Sequence, residues 1–416
     1  MKKILSTTLG AALLSSACFA GDLKAPFSFP SARVLPKGIR NLSMKGLFAR
    51  ASQRYNENGE TVVLANALNS DITFKKVYDS KKTDFDRASI LNVMHKLGKD
   101  FDDSFGESTG DVRVAATARV PVFALGITDK LTVAMAVPVI KSSMKIKTGV
   151  VQENQALHTQ MIQTLNDSGV PTKVVETMNK LSMPITEKLK EYGYNTPVAE
   201  EKDELGDIKV VGKYNNYQDD KLMVTSQVDI TLPTGTDANV MDVVDVASGD
   251  DQTDVGVGVA MDYKVLPSVT LSGSLGYLWQ LADTNAERIP EVSYSRATPD
   301  IDWATKRDLG NVANLQLATN WSYKGFNLGA GYSYQDKQKD SYRGSKFSAE
   351  RYDWLSQETK QNMQSMQLSA GMDTIYLFRK KAFPAPLKIM FTYTNVIDGE
   401  NVVKDPLYSV DFNMYF

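Results

Sequence analysis

Tyr408-Ser409-Val410-Asp411-Phe412-Asn413-Met414-Tyr415-Phe416 decides the fold of this chain. Tyr408, Val410, Phe412, Met414 and Phe416 are apolar or aromatic at every second position, and Ser409, Asp411 and Asn413 fall between them. A period of two belongs to a strand whose two faces meet different surroundings. A soluble sandwich turns the apolar face into its core. An outer-membrane barrel turns that face to lipid and keeps a polar lumen. A strand ending on an aromatic such as Phe416 also resembles the signal that such proteins show to the barrel-assembly machinery.

The same alternation recurs upstream. It is clear in Val112–Val120, Val224–Leu232, Val255–Tyr263, Val269–Trp279, Ala313–Tyr323, Phe326–Tyr334, Leu368–Phe378 and Leu387–Tyr393, and weaker over 42–55, 130–145 and 206–217. That makes about twelve strands, and membrane barrels favour even counts. Very short connections (126–129, 218–220, 267, 324–325, 380–384) alternate with long ones (56–109, 146–205, 234–252, 282–308, 337–361). Short periplasmic turns and long external loops are the barrel pattern, and a sandwich has no reason for it. With alternating strand directions, Tyr277, Trp279, Phe391, Tyr393 and Tyr408 fall at the outer rim. Trp321, Tyr323, Phe326, Tyr376, Phe378 and Phe416 fall at the inner rim, so two aromatic girdles flank an apolar band. The expected fold is all-β: a transmembrane antiparallel up-and-down β-barrel with helical insertions in long extracellular loops.

The first twenty residues set the compartment. Lys2 and Lys3 precede an apolar stretch from Ile4 to Ala17, and Cys18-Phe19-Ala20 puts small residues at the positions a signal peptidase requires. Cleavage after Ala20 removes the only cysteine, so packing and backbone pairing alone must hold the mature chain. A lipoprotein signal acylated at Cys18 is the rival, but Ser15 stands where a lipobox wants leucine. Removing Lys2 and Lys3 shifts the net charge from −2 to −4, which argues against a nucleic-acid partner. The mean hydropathy of −0.27 hides the strands, because half of each is polar. The chain divides into a signal peptide (1–20), an N-terminal segment (21–40) that either plugs the lumen or trails in the periplasm, and the barrel (41–416). The barrel carries loop insertions at 56–109 and 146–205.

Two features strain this reading. Pro121 and Pro138 sit inside proposed strands and require a bulge or a strand end. The strand at 42–55 leaves either Lys45 or Arg50 facing lipid. Helical periodicity over 86–98 and 151–192 predicts helices in two external loops, with Gly98 and Gly193 as their stops. They either cap the barrel or fold into its mouth.

Catalytic chemistry is sparse. The two histidines, His95 and His158, both fall in predicted loop helices, which leaves an outer-membrane hydrolase as a minor reading. No phosphate or dinucleotide fingerprint and no His- or Cys-rich metal pattern is present, and no cofactor is implied. Acidic loops at Asp100–Glu107 and Asp242–Asp254 offer oxygen ligands to calcium, though solvated loops explain them as well. On the lumen face, alternation places Arg113, Arg119, Lys209 and Lys213 on early strands and Asp229, Asp254, Asp262, Asp373 and Asp411 on later ones. Opposed walls of charge would select among solutes by their field. The alternative is mutual pairing that closes the lumen.

One stretch resembles a known family. Ile230-Thr231-Leu232-Pro233-Thr234-Gly235, Ser248-Gly249-Asp250, Gln252-Thr253-Asp254-Val255-Gly256-Val257-Gly258 and Leu271-Ser272-Gly273-Ser274-Leu275-Gly276-Tyr277 resemble outer-membrane barrels labelled for the MetA pathway of phenol degradation. That family is similar in character to fatty-acid and aromatic-hydrocarbon transporters. The resemblance implies passage of small, hydrophobic or aromatic molecules; it covers Asp229–Gln280 best, leaves 146–205 unmatched and transfers no binding residue. The expected function is therefore a passive channel across the Gram-negative outer membrane. Its partners are a small solute, outer-membrane lipid with lipopolysaccharide, and the assembly machinery. A closed barrel working through its loops is the alternative.

Overall fold

Twelve antiparallel strands close into a barrel in the computed structural model, which describes residues 31–64, 70–79, 84–151, 155–167, 189–195, 199–242, 246–291, 293 and 298–416. In chain order they are β1 (Arg40–Ala51), β2 (Ser104–Gly126), β3 (Leu131–Ala136 continuing as Val139–Val151), β4 (Ala199–Leu205 continuing as Ile208–Gln218), β5 (Leu222–Leu232) and β6 (Asp254–Leu266). Then follow β7 (Val269–Gln280), β8 (Val312–Tyr323), β9 (Phe326–Lys337), β10 (Gln361–Asp373), β11 (Leu387–Glu400) and β12 (Leu407–Tyr415). Each strand pairs with its neighbours in sequence, and β1 closes the ring by pairing with both β2 and β12. The seam is completed by Arg40 and Phe416, whose backbones exchange hydrogen bonds of 2.8 and 3.0 Å. The expected signal peptide and residues 21–30 lie outside the described residues.

Side chains sort as a bilayer demands. Val228, Ile230, Val259, Met261, Leu275 and Leu317 are exposed on the outside, while Thr225, Gln227, Asp229, Thr231, Ser272 and Ser274 between them are buried on the inside. Apolar outward and polar inward is the inverse of a soluble core. The outer-rim aromatics touch one another: Tyr277 meets Trp279 edge-on at 4.9 Å, and Tyr408 lies 5.4 Å from Tyr393. At the inner rim Trp321 stacks on Tyr323 at 6.1 Å. The fold is that of an outer-membrane β-barrel. Among the described residues no helix is long and apolar enough to cross a membrane.

Some local expectations change. Tyr376 and Phe378, read as strand residues, lie in a short helix, Ile375–Arg379, between β10 and β11. The thirteen residues 374–386 around it make this turn longer than expected. The loop helix predicted over 86–98 is Asp84–Leu97, stopped by Gly98 at φ +63°. In the 146–205 insertion Gln155–Asp167 is helical, residues 189–191 are helical, and Gly193 (φ +74°) ends that turn. Residues 168–188 of the predicted 151–192 helices lie outside the described residues. The β1 ambiguity resolves with Lys45 inward, 3.9 Å from Asp411, and Arg50 exposed at the external end.

The two prolines mark a seam in the wall. Pairing of β2 with β3 stops after Val122↔Ala136 and resumes at Arg119↔Val139. Across the gap only the Val137 amide donates to the Pro121 carbonyl, at 3.1 Å. Neither proline has an N–H to give. The β2–β3 register is unchanged across the gap, but the next pair slips. Ala136 faces Lys209 below the gap and Val139 faces Leu205 above it, so β4 carries one extra residue at Gly206-Asp207. Such a bulge re-aims a side chain, here that of Asp207. Above the seam β2, β3 and β4 continue outward past the end of β1, which stops opposite Val114.

Candidate functional site

Polarity inverts along the β2–β3 wall. Val112, Val114, Ala116, Ala118 and Val120 are buried with Leu47, Ala51, Ala136, Ile140 and Met144, facing inward. This corrects the expected orientation of that strand. Arg113 and Arg119 do not enter the lumen: they share the outer face with Gly46, Met44 and Phe48, and their side chains are 76% and 64% exposed. Arg113 pairs with Asp111 at 3.0 Å, and Arg119 with Asp203 at 3.1 Å. The physical reason is height. Thr117 is level with Phe48 and Tyr408 of the outer girdle, so Arg113 stands above the hydrocarbon and Arg119, level with Gly46 and Val410, lies just inside its outer edge. Water lies outside the first, and an outward arginine near the interface costs only about 0–1 kcal/mol. Replacing Arg113 and Arg119 with glutamine should leave ion selectivity in planar bilayers unchanged. A shifted reversal potential would return them to the lumen.

The other candidates do face inward, but they pair sideways and do not stand as opposed walls. Lys209 Nζ lies 2.8 Å from Asp229, whose carboxylate also accepts from Gln227 Nε2 at 3.0 Å. Asp411 faces Lys45, and Asp373 sits beside Lys388 on the neighbouring strand while accepting from Asn327 Nδ2 at 2.8 Å. Asp262 accepts from Ser31 Oγ at 2.8 Å, and Lys213 donates to the Ser31 carbonyl. Asp254 stands apart, fully buried, with neither carboxylate oxygen hydrogen-bonded. Lys45 and Lys388 are inward charges that sequence reading missed, since each sits in a strand whose register was open or whose lumen face was not read.

Residues 31–39 lie across the periplasmic end of the lumen. Besides Ser31, the Leu35 amide donates to Thr132 Oγ1 at 2.7 Å, and the Lys37 amide to Asp129 at 3.0 Å. The Gly38 amide donates to the Gly126 carbonyl at 2.9 Å. A Cβ on Gly126 would collide with the Pro36 carbonyl, so glycine is needed for this close approach.

The loop between β5 and β6 reaches back to the inner wall at the mouth. Val246 from this loop packs into the inward apolar cluster, joined by Leu64 and Val403 from other external segments. The bulge residue Asp207 holds the loop: its carboxylate accepts the amides of Thr234 (3.0 Å), Gly235 (2.8 Å) and Asp250 (3.2 Å). Ser248 Oγ donates to the Leu205 carbonyl at 2.8 Å, and Thr234 Oγ1 to that of Gly206 at 2.9 Å. Gly249 lies over the carboxylate, where a Cβ would come within 2.6 Å of both oxygens. Arg307 braces the same loop from the outer rim. It is buried between Asp237 and Asp283, at 2.7 Å from each, and donates to the Asp250 carbonyl. Burial, with Asp207 beside it, pushes Asp250 above the usual carboxylate range.

The loop is built from the motif residues Leu232-Pro233-Thr234-Gly235 and Ser248-Gly249-Asp250. The profile of the family described as "Putative MetA-pathway of phenol degradation" matches residues 162–379, just over half of the chain. The chain belongs to this family. The match contains the whole latch and also takes in much of the 146–205 insertion. Among solved structures, the phenol-degradation family chain is similar to the COG4313 outer membrane channel from Pseudomonas putida F1. The identity is 10%, over 94% of this chain and 100% of that one, with a TM-score of 0.54. This is a likeness of fold. The Ralstonia pickettii toluene transporter TbuX matches at 10% identity over 92% and 90% of the two chains, with a TM-score of 0.35. The Pseudomonas putida toluene transporter TodX does so at 10% over 94% and 92%, with a TM-score of 0.32. No curated protein matches.

His95 is exposed on its helix, and nothing is described of the His158 side chain. The Asp100–Glu107 acids cap their own turn, with Asp103 accepting from the Asp100 amide at 2.9 Å and from Lys99 at 3.3 Å.

Proposed function

We propose that this barrel is a passive channel for small hydrophobic or aromatic molecules, with no catalytic step of its own. One observation carries the reading: the inner wall from Val112 to Val120 is apolar and buried under single side chains from mobile-length loops, Val246 among them. A path for ions or sugars would put polar groups there. An apolar wall gives an aromatic ring a surface worth about 25 cal/mol per Å² removed from water. The relatives named as toluene transporters and as an outer membrane channel are in keeping with this reading. The lumen charges, paired among themselves, would then fix the strands and the plug and leave selection to the apolar mouth.

The test is permeation of toluene into liposomes that carry the refolded barrel. Ala116→Asp with Ala118→Asp should cut the rate at least about tenfold, since a carboxylate in an apolar passage costs more than the ~1.4 kcal/mol this requires. An unchanged rate would sink the proposal. A second reading, a closed barrel acting through its loops, is favoured by the segment 31–39 lying across the lumen. Deleting residues 21–37 separates the two: flux that rises supports a channel, and flux at the level of empty liposomes in both forms supports the closed barrel.

A further inference from the structure

Where β5, β6 and β7 meet the external loop, buried oxygen atoms converge without donors. Thr231 and Gln280 are the direct cross-strand partners of Asp254 on the inner face, one on each side, which puts each of their Cβ atoms about 4.5–5.5 Å from that of Asp254. Asp254 is 0% exposed, and neither of its carboxylate oxygens is hydrogen-bonded; the same holds for Thr231 Oγ1 and Gln280 Oε1. Directly above lie Asp250 and Gln252. The Gln280 amide nitrogen points to Asp250 Oδ2 at 3.5 Å, which turns Gln280 Oε1 the other way. Gln252 gives its amide nitrogen to Asp283 at 2.8 Å, and its own Oε1 is likewise without a donor.

The nearby cations give these oxygens no hydrogen bond. Lys209 is engaged by Asp229, and Arg307 is held by Asp237 and Asp283 while touching only the backbone of Asp250. Asp250 already accepts from the Gln252 amide at 3.0 Å, but one carboxylate, two amide oxygens and a hydroxyl, all buried and without donors, cost several kcal/mol unless something positive sits among them. The donors are all hard oxygens, with no nitrogen or sulfur. Among the described residues no three acidic, histidine or cysteine side chains group as a metal site, so the set depends on its neutral oxygens. Mixed carboxylate, amide and hydroxyl oxygen in a partly loop-built shell suits calcium.

We propose that this pocket binds one Ca²⁺ from the external medium, ligated by Asp254, Gln252, Gln280 and Thr231. Asp254, Gln280 and Thr231 belong to the wall and Gln252 to the loop. The ion would therefore pin the loop that carries Val246, on the side opposite the Asp207 latch.

Isothermal titration of the refolded full-length barrel with CaCl₂, and separately with MgCl₂, tests this without any transport readout. The expected result is one Ca²⁺ per chain, with affinity at least about tenfold weaker in Asp254→Asn and in Gln280→Met and unchanged in Asp251→Asn. Gel mobility before and after heating checks that each variant has folded. If Asp254→Asn does not fold, Gln280→Met carries the test. No calcium uptake by the natural protein, equal uptake of magnesium, or unaltered affinity in Gln280→Met would overturn the proposal. So would an infrared carbonyl band showing that Asp254 holds a proton in place of the ion.

Discussion

Arg307→Met should destabilise the outer rim by about 3–5 kcal/mol, the range found when one partner of a buried ion network is removed. The guanidinium is almost wholly buried, and Asp237, Asp283 and Glu287 crowd around it at 2.7, 2.7 and 3.8 Å. Methionine fills some of the volume but leaves these acids unmatched. The pH dependence carries a definite sign. Burial already holds Asp237 above its ordinary value despite Arg307, and losing the cation raises it further. A carboxyl raised in the folded state binds more protons there than when unfolded. The variant is therefore most stable in acid and loses stability as pH rises through the raised value. Proteolysis of the 233–253 and 281–311 loops at pH 5 and pH 8 (about two units below and one unit above neutral) reads this out. Equal protection of both proteins at the higher pH would contradict it.

Gly249→Val should release the β5–β6 loop while leaving the barrel intact. The new Cβ would meet the Asp207 carboxylate at 2.6 Å, and β-branching forbids a small evasion. Displacing the loop costs Asp207 up to three amide donors. Each hydrogen bond to a charged group is worth about 1.5–3 kcal/mol, so the latch loses several kcal/mol locally. Val246 then leaves the apolar wall, and toluene permeation should rise several-fold with no change in heat-modifiable mobility. Asp207→Ala should act in the same direction, because it removes the acceptor in place of displacing the donors. A Gly249→Val barrel with unaltered flux and an unaltered loop would mean the loop does not gate the mouth.

The barrel was legible because its signals are local. Alternation at Tyr408–Phe416, the turn at Lys324-Gly325 and the girdle at Trp279 each need only a few neighbouring residues to read. Arg113 and Arg119 were not legible for the opposite reason. Alternation says that a strand has two faces, but which face is wet depends on how far the strand rises above lipid, and β2 runs 23 residues. The same limit applies to Tyr376 and Phe378, where a five-residue helix presents apolar side chains much as a strand would. Pro121 and Pro138 did announce an irregularity, and it is there. The latch was visible only as a motif. Its meaning rests on Asp207, whose direction is set by a one-residue slip between β3 and β4 that no local pattern encodes. Asp250 and Asp254 were noticed as acids in a crowded stretch; that they turn inward is a matter of register.

The ring is sealed by strands that are neighbours in space and strangers along the chain: Asn41 meets Tyr415, and Phe48 meets Tyr408. Every other pair in the wall joins strands that are consecutive along the chain, but this one must wait for the two ends of the ribbon to find each other. The peptide just ahead of β1 is already tethered to that late-arriving edge, so sealing and stoppering happen in one act. A newly made barrel would never stand as an open hole in the envelope, even for the moment between folding and first use.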